Sequence, residues 1–211
     1  MSRVKGILFD FDGVIIESNS VREYGFRKSL EAYPNDLVED LVNYHNANGG
    51  LSRYHKYEYF FTQILRQKAK EGQVMELANA FSEIMRKELG KKKYLIAETV
   101  EFIKQIHQSI PLKIVSGSDQ EELRFLCNNL EVDQYFKAIF GSPVAKTELV
   151  RRIIEQDGHS DFLLIGDSVN DFEAARDNDI AFVGYNNSSL RELGSYYIDD
   201  YNVFTSWLNE H

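Results

Sequence analysis

The sequence predicts a three-layer α/β core, a parallel sheet between helices, with an all-α helical cap inserted into it. Two observations predict this. Short apolar runs alternate with segments whose apolar residues recur at helical spacing, which is the pattern of strand–helix–strand units and of a parallel sheet. One connection breaks the rhythm: the first apolar run is followed by roughly a hundred residues before the second, far more than one crossover helix needs.

The first strand is expected over residues 4–10, an apolar run ending in an acid. Similar runs at 112–115, 138–140, 162–165 and 180–183 supply four more strands. Residues 97–108, 120–130, 147–156 and 170–178 space their apolar residues as helices do. The long interval reads as helices over 21–32, 35–47, 54–70 and 74–89, with no convincing strand. The division that follows is a core of residues 1–17 and 91–211 and a helical cap of residues 18–90 over the carboxyl end of the sheet. Within the cap, Asn48-Gly49-Gly50-Leu51-Ser52-Arg53 is a loop between helices. The run Lys91-Lys92-Lys93 reads as a solvated face. The aromatic run Tyr54, Tyr57, Tyr59, Phe60 and Phe61 reads as cap core.

Hydrophobic residues make up 43% and charged residues 27%, a globular composition that excludes a mostly disordered chain. A net charge of -9 repels phosphate backbones, so nucleic acid is not an expected partner. No segment is long and apolar enough to expect a signal peptide or a membrane span, which makes the cytoplasm the expected compartment. The single cysteine, Cys127, lies in an apolar run and reads as a core residue rather than a catalytic thiol. Whether the chain is a monomer or a dimer is left open.

Four segments carry chemistry, each leaving an expected strand at the same edge of the sheet, where open parallel sheets bind ligands. Asp10-Phe11-Asp12-Gly13-Val14 places two carboxylates directly after the first strand, with Gly13 permitting a sharp turn. Ile114-Val115-Ser116-Gly117-Ser118 brings a hydroxyl and open backbone N–H groups to the start of a helix, which suits a phosphoryl group. Gly141 to Lys146 brings one ammonium. Gly166-Asp167-Ser168-Val169-Asn170-Asp171 brings two more acids. Each segment alone also reads as a helix cap or a solvated loop. Together, carboxylates gathered this closely need a cation among them, and a hard oxygen-ligand site suits magnesium.

On these residues the sequence resembles the haloacid dehalogenase-like hydrolase superfamily. Within it, the inserted helices resemble the phosphoglycolate phosphatase and beta-phosphoglucomutase-like branch, whose helical cap lies between the first and second motifs. DFDGV at 10–14, VSGS at 115–118, Lys146 and GDSVND at 166–171 stand in the family's order. The resemblance implies a Rossmann-like core and a phosphatase working on a small phosphorylated metabolite through an aspartyl-phosphate. It implies Asp10 as nucleophile and Asp12 as general acid and base. It implies Mg2+ held by Asp10, the carbonyl of Asp12, Asp167 and Asp171. Ser116, Gly117 and Lys146 would hold the phosphoryl oxygens, with Gly13 beside them. Dehalogenases lack the second acid, so Asp12 favours phosphoryl transfer. A sugar phosphomutase of the beta-phosphoglucomutase type and an idle binding protein on the same fold are the alternatives. In the cap, Arg53 either contacts the distal part of the substrate, with His55 or Lys56 nearby, or caps or decorates a cap helix. His45, His107, His159 and His211 show no paired spacing for a metal and are expected at the surface or at helix ends. Glu17-Ser18 stands where many relatives carry Asp-Ser, a mild departure that bears on hinge contacts.

Overall fold

The computed structural model describes residues 4–210; residues 1–3 of the expected core and His211 lie outside the described residues. Strands form at β1 Gly6–Phe9, β2 Leu112–Asp119, β3 Ala138–Ser142, β4 Phe162–Gly166, β5 Ala181–Tyr185 and β6 Tyr196–Ile198. They make one parallel sheet in the order β3-β2-β1-β4-β5-β6. Ile7 of β1 is in register with Leu112 on one side and Leu163 on the other. The chain therefore reverses its direction of travel beside β1, and this switch point is where an open α/β sheet leaves a crevice.

Alternation along β1 sorts the two faces. Ile7 and Phe9 enter one apolar cluster, with Phe102 of α5 (Ala97–Ile106), Leu123 of α6 (Gln120–Asn129) and Phe204 of α9 (Tyr201–Glu210). Leu8 enters a second cluster, with Leu149 of α7 (Lys146–Asp157) and Ala174 of α8 (Val169–Arg176). The result is the expected three layers. Cys127 is fully buried in the first cluster, as a core residue should be.

The long interval after β1 holds α1 Asn19–Ser29, α2 Asn35–Ala47, α3 Arg53–Tyr59 and α4 Gln73–Leu89. The chain leaves and returns at one place, where Ile16 bridges Leu95 and Glu17 N–H donates to the Tyr94 carbonyl at 2.8 Å. Lys91, Lys92 and Lys93 next to this point are exposed, as expected of a solvated face.

The structure corrects three expectations. The helix expected over 54–70 ends early: α3 passes into a π-helical turn, Phe60–Ile64. Successive residues of an α-helix point about 100° apart, so the wider turn lets Phe60 and Phe61 both be buried. Beyond Leu65 the sequence turns polar, and no apolar stripe is left to hold a helix. Second, β2 continues past Val115 to Asp119, carrying Ser116 and Ser118 on strand backbone. Third, β6 and α9 were not expected; a three-residue strand is too short to show alternation.

Candidate active site

Asp10 lies directly after β1 and is buried. Its Oδ1 accepts from the Phe11 N–H at 2.8 Å and pairs with Lys146 Nζ at 2.9 Å, so two donors fix the plane of the carboxylate. Lys146 is the first residue of α7 and also pairs with Asp171 of α8. Oxygens of Asp10, Asp167 and Asp171 lie within 4.8 Å of one another. Gly166 and Gly13 make this approach possible. A Cβ on Gly166 would lie 2.3 Å from the Cβ of Asp171. A Cβ on Gly13, whose φ is +72°, would lie 2.0 Å from Asp167 Oδ2. Asp171 is oriented by the Ser168 N–H at 3.0 Å and the Ser168 hydroxyl at 2.6 Å.

The electrostatics follow from three acids around one ammonium. Burial first, then the Asp171 carboxylate, push Asp10 up to about 7 against the pull of Lys146. Burial, Asp10 and Asp171 push Asp167 well above the usual carboxylate range. Burial works against the Lys146 charge, but Asp10 and Asp171 outweigh it and raise the ammonium above its ordinary value. The cluster is short of positive charge, and its donors are hard oxygens. That donor set fits a divalent cation such as magnesium.

Asp12 faces a different set of partners. Its Oδ1 accepts from the Ser18 hydroxyl and from Arg22 Nε at 2.6 Å, and its Oδ2 accepts from the Ser118 hydroxyl. Burial alone would raise this carboxyl; Arg22 and the two serine hydroxyls outweigh it and hold it low. Ser116 and Gly117 line the same cavity as Asp10, Asp12 and Asp167. Gly117 touches the loop between α2 and α3, since a Cβ there would lie 1.9 Å from the Gly50 carbonyl oxygen. The same loop is held by Asn170, whose side-chain amide donates to the Gly49 carbonyl. Beyond the loop, the Tyr54 hydroxyl donates to Asp119 at 2.7 Å.

Arg53 neither caps a helix nor stands free in the cavity. Ser52 is the N-cap of α3, accepting from the His55 N–H at 3.2 Å. Arg53 is buried, its Nη1 donating to Ser82 at 2.6 Å and to Glu122 Oε2 at 2.5 Å, its guanidinium 4.6 Å above the Phe81 ring. Glu122 of α6 is fully buried and also pairs with Arg22 of α1 at 3.4 Å. One carboxylate from beside the sheet thus holds two arginines of the inserted helices. Arg53 still reaches the cavity, which it lines with Lys56 and His45. His45 stands at a helix end as expected, in the last turn of α2, and is buried there, its Nδ1 at 2.8 Å from Lys56 Nζ. His107 and His159 behave as expected, His107 following α5 and bonding the Lys104 carbonyl. The rings facing the cavity are Phe26 and Phe81, not those of the run 54–61, of which Tyr57, Phe60 and Phe61 are core.

Sequence reasoning missed Arg22, Glu122 and His45 as parts of this site, and named Ser118 and Lys56 only as neighbours of Ser116 and Arg53. A signal existed. Arg22 precedes Phe26 by four residues, Glu122 precedes Leu126 by four, Lys56 precedes Phe60 by four, and His45 follows Leu41 by four. Each polar residue therefore shares a helical face with a fully or almost fully buried apolar one.

Comparison with known proteins agrees with this geometry. Residues 7–185 match the family model described as haloacid dehalogenase-like hydrolase. No curated protein matches the sequence. Among solved structures, the chain is similar to beta-phosphoglucomutase from Clostridium difficile, with TM-score 0.77 and 15% identity over 98% of both chains. It is similar to a predicted phosphoglycolate phosphatase from Haemophilus somnus 129pt, with TM-score 0.75 and 16% identity over 98% of this chain and 99% of that one. It is also similar to YfnB from Bacillus subtilis, a structure bound to magnesium, with TM-score 0.72 and 18% identity over 99% and 100%. At these identities the likeness is one of fold.

Proposed function

This chain belongs to the haloacid dehalogenase-like hydrolases, and from that premise we infer that it is a magnesium-dependent phosphatase acting on a small phosphorylated metabolite. The observation that carries the reading is the pairing of Lys146 with both Asp10 and Asp171, beside Asp167, at the switch point of the sheet. A nucleophilic carboxylate, a phosphoryl-binding ammonium and the acids of a metal site then share one crevice. Residues 18–90 act as a cap over a core of residues 1–17 and 91–211.

Asp10 attacks phosphorus and forms an aspartyl-phosphate while the P–O bond to the departing group breaks. Its carboxylate is already held in plane by Phe11 N–H and Lys146, which reduces the cost of orienting it. Ser116, the Gly117 N–H and Lys146 bind the phosphoryl oxygens as charge spreads over them. Asp10, Asp167, Asp171 and the Asp12 carbonyl would hold Mg2+, which would offset the repulsion between Asp10 and the anionic substrate. Asp12 gives a proton to the departing oxygen and later takes one from the water that attacks the intermediate. Both of its oxygens are occupied by Ser18, Arg22 and Ser118, so it must exchange at least one of these partners to do so.

The test is steady release of inorganic phosphate from simple phosphate esters with magnesium present. Asp10→Asn should lower the rate by at least about a thousandfold while the circular dichroism spectrum is kept. A variant that retains wild-type turnover would remove Asp10 from the chemistry.

A further inference from the structure

Ser18 is the N-cap of α1, yet its hydroxyl makes no capping bond within that helix. It donates to Asp12 Oδ1 instead. Arg22 lies one turn further on, its N–H bonded to the Ser18 carbonyl at 2.9 Å, and its Nε donates to the same Asp12 oxygen at 2.6 Å. The first turn of α1 therefore sets two donors over one oxygen of one carboxylate. Both placements go against what the helix alone favours. A serine used this way leaves a helix end uncapped, and a cation in the first turn meets the positive end of the helix dipole. α1 has no acid in its first turn to offset that cost. The partner that the two residues share is Asp12.

Arg22 is itself pinned. Its Nη2 donates to the Ser118 hydroxyl oxygen at 2.9 Å, and its Nη1 pairs with the buried Glu122 at 3.4 Å. Ser118 in turn donates to Asp12 Oδ2. Arg22, Asp12 and Ser118 thus close a ring, in which the planar guanidinium grips one carboxylate oxygen directly and the other through a hydroxyl. The two oxygens are not equivalent. A guanidinium only donates, so Oδ1 cannot point a proton at Arg22. A hydroxyl donates or accepts, and Ser118 keeps its bond from Arg22 whichever way its own proton turns. Oδ2 is therefore the oxygen free to change partners. Asp12, Arg22 and Ser118 line the same cavity as Asp10.

We propose that Arg22 is the positioning residue of Asp12: it clamps the carboxylate by Oδ1, so that Oδ2 is the oxygen that exchanges protons with the departing group and with water. The proposal rests on the phosphatase reading. Oδ2 gives its proton to the oxygen that leaves phosphorus as the bond from Asp10 forms. In the second step Oδ2 takes a proton from the water whose oxygen bonds phosphorus, the bond to Asp10 breaks, and inorganic phosphate departs. The proton gained in one turnover is the proton given in the next. Such a transfer needs a hydrogen bond of about 2.6–3.2 Å, and a carboxylate already clamped loses less freedom in reaching it.

The experiment gives the full chain, with magnesium, two esters that differ in their need for that proton. Hydroxyethyl phosphate releases an alkoxide, which needs it; p-nitrophenyl phosphate releases a phenolate, which does not. The comparison uses kcat/KM, which reports the steps up to that departure and not the later hydrolysis of the aspartyl-phosphate. Arg22→Met should lower kcat/KM for hydroxyethyl phosphate by about tenfold or more, and for p-nitrophenyl phosphate by no more than about threefold. A residue that only supports the fold would lower both alike. Arg22→Lys keeps the buried charge beside Asp12 and Glu122, so its fold should hold, but an ammonium has no planar fork. It should show the same split, and it decides the matter if Arg22→Met does not fold. Ser118→Ala removes the partner that Oδ2 gives up and should cost hydroxyethyl phosphate less than Arg22→Met does; an equal or larger loss overturns the assignment of Oδ2. Equal losses on the two esters, no loss on either, or full activity in Arg22→Lys overturns the clamp and leaves the phosphatase reading standing. Wild-type release from the aryl ester alone does the same, since no proton then reaches the departing oxygen. Wild-type release from neither ester sinks the phosphatase reading instead.

Discussion

Lys56 carries its environment in its proton affinity. Burial first, then the Arg22 guanidinium, push the ammonium down to about 7; Arg53 adds to this, while Asp12 and Asp167 pull the other way. His45, its direct neighbour, is held neutral, since burial, Lys56 and Arg22 push it down to about 2. An unfolded lysine titrates near 10.4. Between pH 7 and that value the unfolded chain keeps a proton that the folded chain has lost, so stability rises with pH across this window. Relative to Lys56→Met, the wild type should gain unfolding free energy from pH 7 to 10, by at most about 1.4 kcal/mol per unit. Urea melts at several pH values check this, and parallel curves for the two chains would contradict it. Residues of this kind are hard to see in a sequence. Asp10, Ser116, Lys146 and Asp167 stand out because each follows an apolar run, whereas Arg22, Lys56 and Glu122 lie inside helices. There a charged residue reads as part of the solvated face unless its position on the apolar stripe is counted.

At the scale of the element, the loop between α2 and α3 is seated on the sheet edge by backbone as much as by side chains. The Gly50 carbonyl rests against Gly117, and the Gly49 carbonyl takes the Asn170 amide. Gly117→Ala puts a methyl where that carbonyl lies, and backbone cannot yield as a flexible side chain does. Turnover should fall by about tenfold or more as the loop is displaced. The urea midpoint should move by no more than about 1 kcal/mol in stability, because the displaced loop lies outside the core. Phosphate-release assays and unfolding curves read the two effects separately; unaltered turnover would mean that the loop does not shape the site. The glycines themselves were visible in the sequence, as was the loop. Their contact with Gly117 was not, because nothing local in either segment says that the two meet across the fold. The same holds for the π-helical turn at Phe60–Ile64, where burying two adjacent rings overrode the regular helical period.

For the whole molecule, the balance of charge at the switch point would tie folding to a bound cation. Asp10, directly after β1, meets Asp167 and Asp171 of the one segment that follows β4, with Lys146 the ammonium paired to Asp10 and Asp171. A divalent ion that binds the folded chain and not the unfolded one stabilises it by about 2.7 kcal/mol at a hundred times its dissociation constant. Magnesium should therefore raise the calorimetric Tm by several degrees, a chelator should reverse the rise, and Asp167→Asn should diminish it. A melting curve indifferent to magnesium would count against a metal centre here. The layers of the fold were legible because apolar runs and helical periods are local signals that repeat. The sheet order is a long-range property, and it follows from the chain only through the handedness and switch rules of open sheets.

That order has a consequence for how the protein comes into being. β1 precedes every other strand in the chain yet lies in the middle of the sheet, hydrogen-bonded on its flanks to residues beginning at 112 and 162. While the chain is being synthesised, Gly6–Phe9 has no neighbouring strand on either side until the residues from 112 on have emerged. The second flank closes only when the residues from 162 on are available. The loop bearing Asp10 is made before both strands that flank β1 and is held only once they are in place. A ribosome-bound fragment that stops short of β4 lacks Asp167 and Asp171 as well, so such a fragment carries Asp10 without the acids that gather around it in the folded chain.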